Sequence, residues 1–229
     1  MNDLVYSARD GYNIIAEYYD KWKWQKFWKV YEFPVIEKWA STLQKGHGLD
    51  AGTGTGNNLS IFLERGHTVT ALDISRSMLD ICMNKYQPYI IQNKLKCIEY
   101  DLLNLIELRG KYDWIICNRV LSNISNIEVT FRLFAATIKS KGECLISDVH
   151  PLHQYESTNL SYLNNKIVIE TFKHPLKKLE KTIEESNFVI VEKKEITYKD
   201  LPKTEILSDF PSLRNQKVPI FFYYILRKL

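Results

Sequence analysis

The sequence predicts an α/β fold, in which a parallel β-sheet is covered by helices on both faces. Two observations predict it. Apolar, β-rich runs alternate with helical stretches from residue 48 onward, and a glycine-rich turn joins the first of these runs to a helix. The 229 residues are enough to bury a sizeable core. We expect a single domain over 1–229, with N-terminal helices (1–45), a central core (46–148) and a C-terminal part (149–229).

Residues 6–45 are rich in aromatic and charged side chains and predict two or three helices. Apolar residues recur at steps of three and four, as in Ile15, Tyr18, Tyr19 and Trp22, and Pro34 interrupts the pattern. The aromatic side chains either pack against the sheet or form a lid over a pocket, because aromatic residues with polar tips often line binding sites. The sequence leaves both alternatives open.

Seven apolar segments bounded by turn residues predict the strands. They are residues 47–51, 67–72, 95–100, 112–117, 143–148, 187–195 and 219–227. Helices are predicted over 57–64, after a cap at Ser75, after a capping-box sequence that begins at Ser125, and over 175–186. Residues 149–174 are predicted to form a longer irregular connection.

The composition limits the classes of function. Lys and Arg number 31 against 27 Asp and Glu, and the formal net charge of +4 is too small to argue for a nucleic-acid partner. The four cysteines form no Cys-x-x-Cys pair, which indicates free thiols and no zinc site. Since we find no signal peptide and no apolar run long enough to cross a bilayer, we expect a cytoplasmic protein without a membrane partner. The oligomeric state is not predicted.

The stretch over residues 48–58 carries the clearest functional signal. Gly52, Gly54 and Gly56 lie between a predicted strand and a predicted helix. Glycines let the backbone turn sharply and let a ligand lie against it, and the start of a helix suits a polar or anionic ligand group. This pattern indicates a loop that binds a nucleotide-type cofactor.

Polar residues follow the predicted core strands. In open parallel sheets, ligands bind beyond the carboxyl ends of the strands, where the strand order reverses. Asp73, Asp101, Asn118 and Asp148 each lie at such an end. Singly, each could cap a helix or face solvent. Together they indicate a binding site, and Asp73 is suited to accept hydrogen bonds from both hydroxyls of a ribose.

Two cofactors fit a loop of this kind. A dinucleotide loop needs Gly-x-Gly-x-x-Gly, but here Asn57 follows Gly54-Thr55-Gly56, so the third glycine is misplaced. Asp50 lies two residues before Gly52, where a carboxylate would repel a pyrophosphate but suit a cationic ammonium. S-adenosylmethionine has an ammonium, a ribose and an adenine but no phosphate, and the residues favour it.

The segment Asp50-Ala51-Gly52-Thr53-Gly54-Thr55-Gly56 resembles the acidic-x-Gly-x-Gly-x-Gly motif of the class I S-adenosylmethionine-dependent methyltransferases. Residues 12–20 are similar to the Tyr-Asp-x-x-Ala-x-x-Tyr-Asp opening of many small-molecule members of that family. The resemblance covers most of the chain but is thin over 152–174. It implies a Rossmann-like, doubly wound sheet of seven strands, mostly parallel, with an antiparallel last strand between the fifth and sixth and N-terminal helices as a lid.

The resemblance also implies the residues that bind S-adenosylmethionine, with S-adenosylhomocysteine as product. They are Tyr12, Tyr19, Asp50, Ala51, Gly52, Thr53, Gly54, Asn57, Asn58, Asp73, Ile74, Ser75, Met78, Asp101, Leu102, Asn118, Arg119 and Val120. By this likeness Asp73 binds the ribose, Ile74 lies against the adenine, and Asp101 lies near the adenine amino group. Tyr19 approaches the cofactor, and residues 118–120 lie next to the sulfonium.

Methyl transfer is an in-line displacement, so the acceptor atom must be held close and aligned. An oxygen acceptor usually also loses a proton, and we interpret His150 as the candidate base and His153 as the weaker one. The alternative is that His150 only belongs to a turn. Trp24, Trp28 and Tyr155, with both histidines, are candidates for the acceptor pocket, although the aromatic residues could equally be packing. A metal site at the two histidines is not favoured, because no further ligands lie nearby in the sequence.

The segment after the fourth strand bears on the acceptor. It reads Asn118-Arg119-Val120-Leu121, whereas many methyltransferases that act on nucleic-acid or glutamine amino groups carry Asn-Pro-Pro-Tyr there. We therefore predict methyl transfer to an O or N atom of a small molecule or short peptide, for example in natural-product biosynthesis. The alternatives are an RNA (tRNA) methyltransferase and a non-catalytic protein that binds S-adenosylmethionine.

Overall fold

A computed structural model of the chain describes residues 5–104, 112–153, 158–162 and 165–229. The helices are α1 (Ala8–Tyr19), α2 (Lys23–Tyr31), α3 (Phe33–Ala40), α4 (Leu59–Leu63), α5 (Arg76–Lys85), α6 (Gln87–Ile91), α7 (Ile127–Thr137) and α8 (Leu176–Glu185). The strands are β1 (Val5–Tyr6), β2 (His47–Ala51), β3 (Thr68–Asp73), β4 (Leu95–Glu99), β5 (Tyr112–Asn118), β6 (Ile138–Val149), β7 (Thr158–Tyr162), β8 (Asn165–Ile169), β9 (Phe188–Ile196) and β10 (Phe221–Lys228).

The main sheet has seven strands in the order β4-β3-β2-β5-β6-β10-β9. The pairs from β4 to β6 are parallel, whereas β10 pairs antiparallel with both β6 and β9. The direction of strand addition reverses between β2 and β5, which opens a crevice at the carboxyl ends of these two strands. The predicted doubly wound sheet, with its antiparallel last strand between the fifth and sixth strands, is confirmed.

The predicted strands agree with the observed ones to within two residues, except at β6. This strand begins at Ile138, directly after α7, and not at residue 143. The register between β5 and β6 shifts near Tyr112, and Lys141 adopts a φ of 64°. An irregularity of this kind lets the strand start early, and the apolar pattern of the sequence does not reveal it.

The connection over 149–174 is more regular than predicted. It contains β7 and β8, which pair antiparallel, and β8 also pairs in parallel with β1 to make a three-stranded sheet. The pairing joins Val5 to Val168, across most of the chain. Such a long-range partner leaves no periodicity in a local window, so the prediction of an irregular connection was wrong.

The N-terminal segment forms three helices, which confirms the predicted two or three. Ser7 caps α1 and Ser75 caps α5 by accepting backbone N–H bonds. Pro34 lies in the first turn of α3. The cap of α7 is Asn126, which accepts from Val129 N–H at 3.1 Å, and not the predicted Ser125.

No helix in the described part of the chain has the length and apolar content needed to cross a bilayer.

The core occupies both faces of the main sheet, and aromatic stacking anchors one of them. On the face covered by α3 and α4, the rings of Phe62 and Trp114 are stacked with centroids 4.2 Å apart, and both side chains are buried. The aromatic residues of α2 form a third cluster in which Phe27 and Trp28 pack around Phe210 and Phe221. Most aromatic residues of α2 therefore serve packing.

We predict that Phe62→Ala lowers the free energy of unfolding by about 3–5 kcal/mol, because it removes a fully buried ring from the stack on Trp114. The control is Ile91→Ala, since Ile91 is 72% exposed and its truncation is expected to change stability by less than about 0.5 kcal/mol. Urea unfolding followed by tryptophan fluorescence measures both. Equal losses in the two variants would contradict this description of the core.

Candidate active site

A cavity of about 380 Å³ lies at the carboxyl ends of the parallel strands, beside the reversal of strand order. Its volume is in the range of small-molecule sites. We call it the main cavity. It is lined by Ser7, Ala8, Arg9, Tyr12, Tyr19, Gly52, Thr53, Gly54, Asn57, Asn58, Asp73, Ile74, Met78, Tyr100, Asp101, Leu102, Leu103, Asn118, Arg119, Val120, Asn123, Ile124, Ser125, Glu170 and Phe172.

The structure brings together the predicted cofactor residues, with three exceptions. Asp50 and Ala51 belong to β2 and are buried beneath the loop, and Ser75 is buried as the cap of α5. These three do not line the main cavity. The prediction from sequence did not include residues that reach the cavity from distant parts of the chain, such as Glu170 and Phe172 after β8. Tyr100 was within reach of sequence reasoning, because it directly precedes Asp101.

The glycine loop, residues 52–57, turns sharply at its three glycines, as predicted from the sequence. Gly52, Gly54 and Gly56 have φ values of 82°, 56° and 82°, in the left-handed region that disfavours other residues. A Cβ atom at Gly52 would lie 2.3 Å from a methyl carbon of Val120, so the loop and the segment after β5 touch directly. The amides of Gly52 and Thr53 both donate to the carbonyl of Leu72, at 2.8 Å each. These bonds fasten the start of the loop to the end of β3.

Asp73 holds the loop and lines the main cavity. One carboxylate oxygen accepts the Gly54 N–H at 2.7 Å, and the other accepts the Ser75 N–H at 2.8 Å. Burial raises the pKa of Asp73 to about 6 against these hydrogen bonds. At neutral pH the carboxylate is therefore mostly ionised and can accept hydrogen bonds from ligand hydroxyls.

Asp50 lies in β2, beneath the glycine loop, and forms a hydrogen bond to it. It is 2% exposed, and its carboxylate accepts the Thr53 hydroxyl at 2.8 Å. Burial raises its pKa to about 7, and the nearby charge of Asp73 adds to the rise. We expected Asp50 to meet a cationic ammonium. In the structure the side chain is turned to Thr53 and does not line the main cavity, so a contact with the ammonium stays a prediction.

Arg119 connects the N-terminal helices to the segment after β5. It has a φ of 56°, which is rare for a residue other than glycine and marks local strain. Its Nε lies 3.1 Å from a carboxylate oxygen of the buried Glu32, and its Nη1 donates to Gln25 Oε1 at 3.3 Å. The guanidinium lies over the ring of Trp28, 5.4 Å from its centroid. These contacts hold α2 and α3 beside the main cavity.

A second, smaller cavity of about 50 Å³ adjoins the main cavity. We call it the aromatic cavity. It is lined by Tyr12, Tyr19, Trp22, Trp24, Trp28, Arg119, Ser122, Asn123, Asp148, Val149, His153 and Ile220. Four of these residues, Tyr12, Tyr19, Arg119 and Asn123, line both cavities. The predicted Trp24 and Trp28 lie here, and α1 and the segment after β5 supply the wall that the two cavities share.

The two candidate histidines lie in different places. His153 is buried and lines the aromatic cavity, and burial lowers its pKa, with the charges of Lys173 and His150 adding to the effect. His150 lines neither of these cavities but a separate one of about 30 Å³ beside Phe172. Its Nε2 is 3.0 Å from a carboxylate oxygen of Glu195, and its Nδ1 accepts the Leu152 N–H at 3.1 Å.

His150, which we expected at the edge of the transfer site, therefore lines neither the main cavity nor the aromatic cavity. The predicted Tyr155 lies outside the described residues. Within residues 5–104, 112–153, 158–162 and 165–229, no group of three or more His, Cys, Asp or Glu side chains is placed to hold a metal ion.

A family model described as a methyltransferase domain matches residues 33–193. The chain belongs to this family. Membership confirms the resemblance to the class I S-adenosylmethionine-dependent methyltransferases and the cofactor that the resemblance implies. The matched residues include β2, the glycine loop and the sheet as far as β9.

Known proteins of similar sequence and structure agree with the family. The ubiquinone biosynthesis O-methyltransferase of Coxiella burnetii is 27% identical over 109 residues, which are 48% of this chain and 46% of that protein. The match thus spans about half of the relative's length. Solved structures of S-adenosylmethionine-dependent methyltransferases share the fold. That from Mesorhizobium loti has a TM-score of 0.67 at 17% identity, covering 86% of this chain and 97% of that chain. That from Clostridium acetobutylicum has 0.66 at 17% identity, covering 95% and 98%.

We predict that wild-type protein loses stability relative to Asp50→Asn as the pH rises from about 4 to 7. Burial raises the folded-state pKa of Asp50 from its ordinary 3.8 to about 7, so the folded state resists deprotonation in this window. The slope is at most about 1.4 kcal/mol per pH unit. For Asp113→Asn the difference is expected below about pH 4 and with the opposite sign, so that wild type loses stability relative to the variant as the pH falls, because hydrogen bonds from Lys139 and the His47 amide outweigh burial and lower the pKa of Asp113. Urea unfolding at several pH values measures both. Parallel curves for wild type and Asp50→Asn would contradict the prediction.

Proposed function

We propose that the protein transfers the methyl group of S-adenosylmethionine to an oxygen atom of a small molecule with an aromatic or otherwise apolar body. One observation carries the proposal: the aromatic cavity adjoins the main cavity and shares four lining residues with it. A cofactor in the first and an acceptor in the second would meet at that common wall. The name of the Coxiella relative, an O-methyltransferase, supports oxygen as the attacking atom.

The residues of the main cavity fit the cofactor. Asp73 presents a carboxylate for the ribose hydroxyls, and Ile74 and Leu102 offer apolar surface for the adenine near Asp101. The side-chain oxygen of Asn118 is buried and accepts no hydrogen bond from any described residue, so a cationic ammonium or another donor would satisfy it. The bound cofactor supplies an electrophilic methyl group on a sulfonium. The contribution of the chain is to hold and align the two reactants.

The aromatic cavity suits the body of the acceptor. Trp22, Trp24 and the two tyrosines of α1 supply flat apolar surface. Among the described residues of its lining, Arg119 and Asp148 carry charge. Arg119 is paired with Glu32, and Asp148 accepts hydrogen bonds from the amide and hydroxyl of Ser122 at 2.8 and 3.0 Å. Because both charges are engaged within the protein, the cavity favours a neutral acceptor.

His153 is suited to take the acceptor's proton. It lines the aromatic cavity, and its lowered pKa keeps the imidazole neutral at pH 7, which is the form that accepts a proton. We assign it this role in place of His150, whose Nε2 and Nδ1 contact Glu195 and the Leu152 amide.

An acceptor screen tests the proposed function. The protein is incubated with S-adenosylmethionine carrying a deuterated methyl group and a panel of phenols, catechols, aryl amines and transfer RNA, and products are read by mass. We expect labelled methyl on hydroxyl oxygens of small aromatic molecules. Asp73→Asn serves as the variant with impaired cofactor binding. It is expected to bind the cofactor about tenfold or more weakly, because it removes a charged acceptor from the ribose. Methylation of RNA alone would contradict the proposal, as would cofactor binding without any methylated product.

We predict that His153→Gln lowers kcat by about 100-fold or more, because it removes the general base. In wild type, kcat is expected to be constant above pH 6.5 and to fall at lower pH as His153 becomes protonated, and this acid limb is expected to vanish in the variant. His150→Gln is the matched control. It should keep the acid limb and change kcat by no more than about threefold, since His150 lines neither the main cavity nor the aromatic cavity. If His150→Gln lost the acid limb and His153→Gln kept it, the two roles would be reversed.

A further inference from the structure

Asp20 links the end of α1 to the glycine loop. One of its carboxylate oxygens accepts the Thr55 hydroxyl at 2.6 Å and the Asn57 side-chain amide at 3.0 Å. Thr55 is 1% exposed, so its hydroxyl has been moved out of water and depends on this partner. Both partners belong to the loop, whereas Asp20 directly follows the helix that carries Tyr12 and Tyr19.

Lys85 completes the contact from a third element. Its ammonium at the end of α5 lies 2.5 Å from the second carboxylate oxygen of Asp20 and donates to the Thr55 carbonyl at 3.1 Å. Burial works to raise the pKa of Asp20, but the bonds from Lys85, Thr55 and Asn57 outweigh it and lower the pKa. The carboxylate is therefore ionised at neutral pH, and charge-assisted bonds of this type are the strong ones.

Other hydrogen bonds hold Gly54 in the loop and the middle of α1. Gly54, the residue before Thr55, donates its amide to Asp73 on the opposite side of the loop. On α1, Asn13 Oδ1 accepts the Ser75 hydroxyl at 2.7 Å and the Ser77 amide at 3.1 Å. The hydrogen bonds of Asp20 therefore join the end of α1 to the loop. If α1 moves away from the loop, Asp20 loses its hydrogen bonds to Thr55 and to Asn57 at the same time.

We propose that Asp20 is a positioning residue that couples α1 to the glycine loop, so that the two walls of the main cavity adopt their binding geometry as one unit. The effect on cofactor binding rests on the proposed function, because it assumes that the cofactor occupies this cavity. Asp20 does not line the main cavity and acts through Thr55 and Asn57. Loss of the link leaves the loop and α1 to move independently, and a ligand must then order both.

The test compares Asp20→Asn, Thr55→Val and the double variant. Asparagine keeps the size of Asp20 but must turn its NH2 group toward either the Lys85 ammonium or the loop donors, so at least one bond is lost. Valine keeps the shape of Thr55 without its hydroxyl. The matched control is Asp80→Asn, because Asp80 forms an exposed ion pair with Arg76 on α5 and does not touch the loop.

Two measurements are made on the four variants and the wild type. Calorimetry is expected to give about a tenfold weaker Kd for S-adenosylhomocysteine in Asp20→Asn and in Thr55→Val. The double variant is expected to be little weaker than either single one, because both changes remove the same link. Hydrogen exchange without ligand is expected to speed up at residues 53–57 and in α1 in the Asp20 and Thr55 variants. Asp80→Asn should match the wild type in both measurements.

Unchanged Kd and exchange in Asp20→Asn would overturn the proposal. So would fully multiplicative effects of the two single changes, since they would mean that Asp20 does not act through Thr55. Failure of the proposed function would give a different experimental result. If the wild type bound no S-adenosylhomocysteine, the cofactor assignment would fall, and the exchange data would decide whether Asp20 couples α1 to the loop.

Discussion

The hydrogen bond from the Gly54 amide to the Asp73 carboxylate is the interaction on which the site depends. It joins the loop after β2 to the end of β3, and the bonds from Gly52 and Thr53 to the Leu72 carbonyl reinforce the junction. The parallel pairing of β2 with β3 and β5 sets where these strand ends meet. Since residues from the ends of all three strands line the main cavity, the shape of the loop sets one side of that cavity.

Three buried carboxylates lie in or at the ends of β2, β3 and β6, and their burial costs stability. Asp50, Asp73 and Asp148 all have pKa values raised by burial, to about 7, 6 and 6. Each accepts hydrogen bonds from loop or strand-end groups, so their charges are partly compensated. A chain selected for stability alone would place apolar residues here. Asp73 lines the main cavity and Asp148 the aromatic cavity, and buried carboxylates of this kind, together with the strained backbone of Arg119, are typical of a functional site.

The N-terminal helices divide between two tasks, which resolves the alternatives that the aromatic content left open. In α2, Phe27 and Trp28 pack against Phe210 and Phe221, although Trp28 also borders the aromatic cavity. In α1, Tyr12 and Tyr19 line both cavities. The difference follows from what each helix covers: α2 lies over the apolar strand β10 and its neighbours, whereas α1 lies beside the open ends of β2 and β3.

The amino-acid sequence by itself determined the sheet, the glycine loop and the polar residues that line the main cavity at the strand ends, because their signals are local: apolar runs, turn glycines, and polar residues at strand ends. Contacts between distant segments decided the rest. The three-stranded sheet needs Val5 beside Val168, and the ring of His150 contacts Glu195, which lies 45 positions further along the chain. Which way a side chain turns at the end of a strand is set by the element that packs against it. That neighbour can lie anywhere along the chain, so only the tertiary structure reveals it.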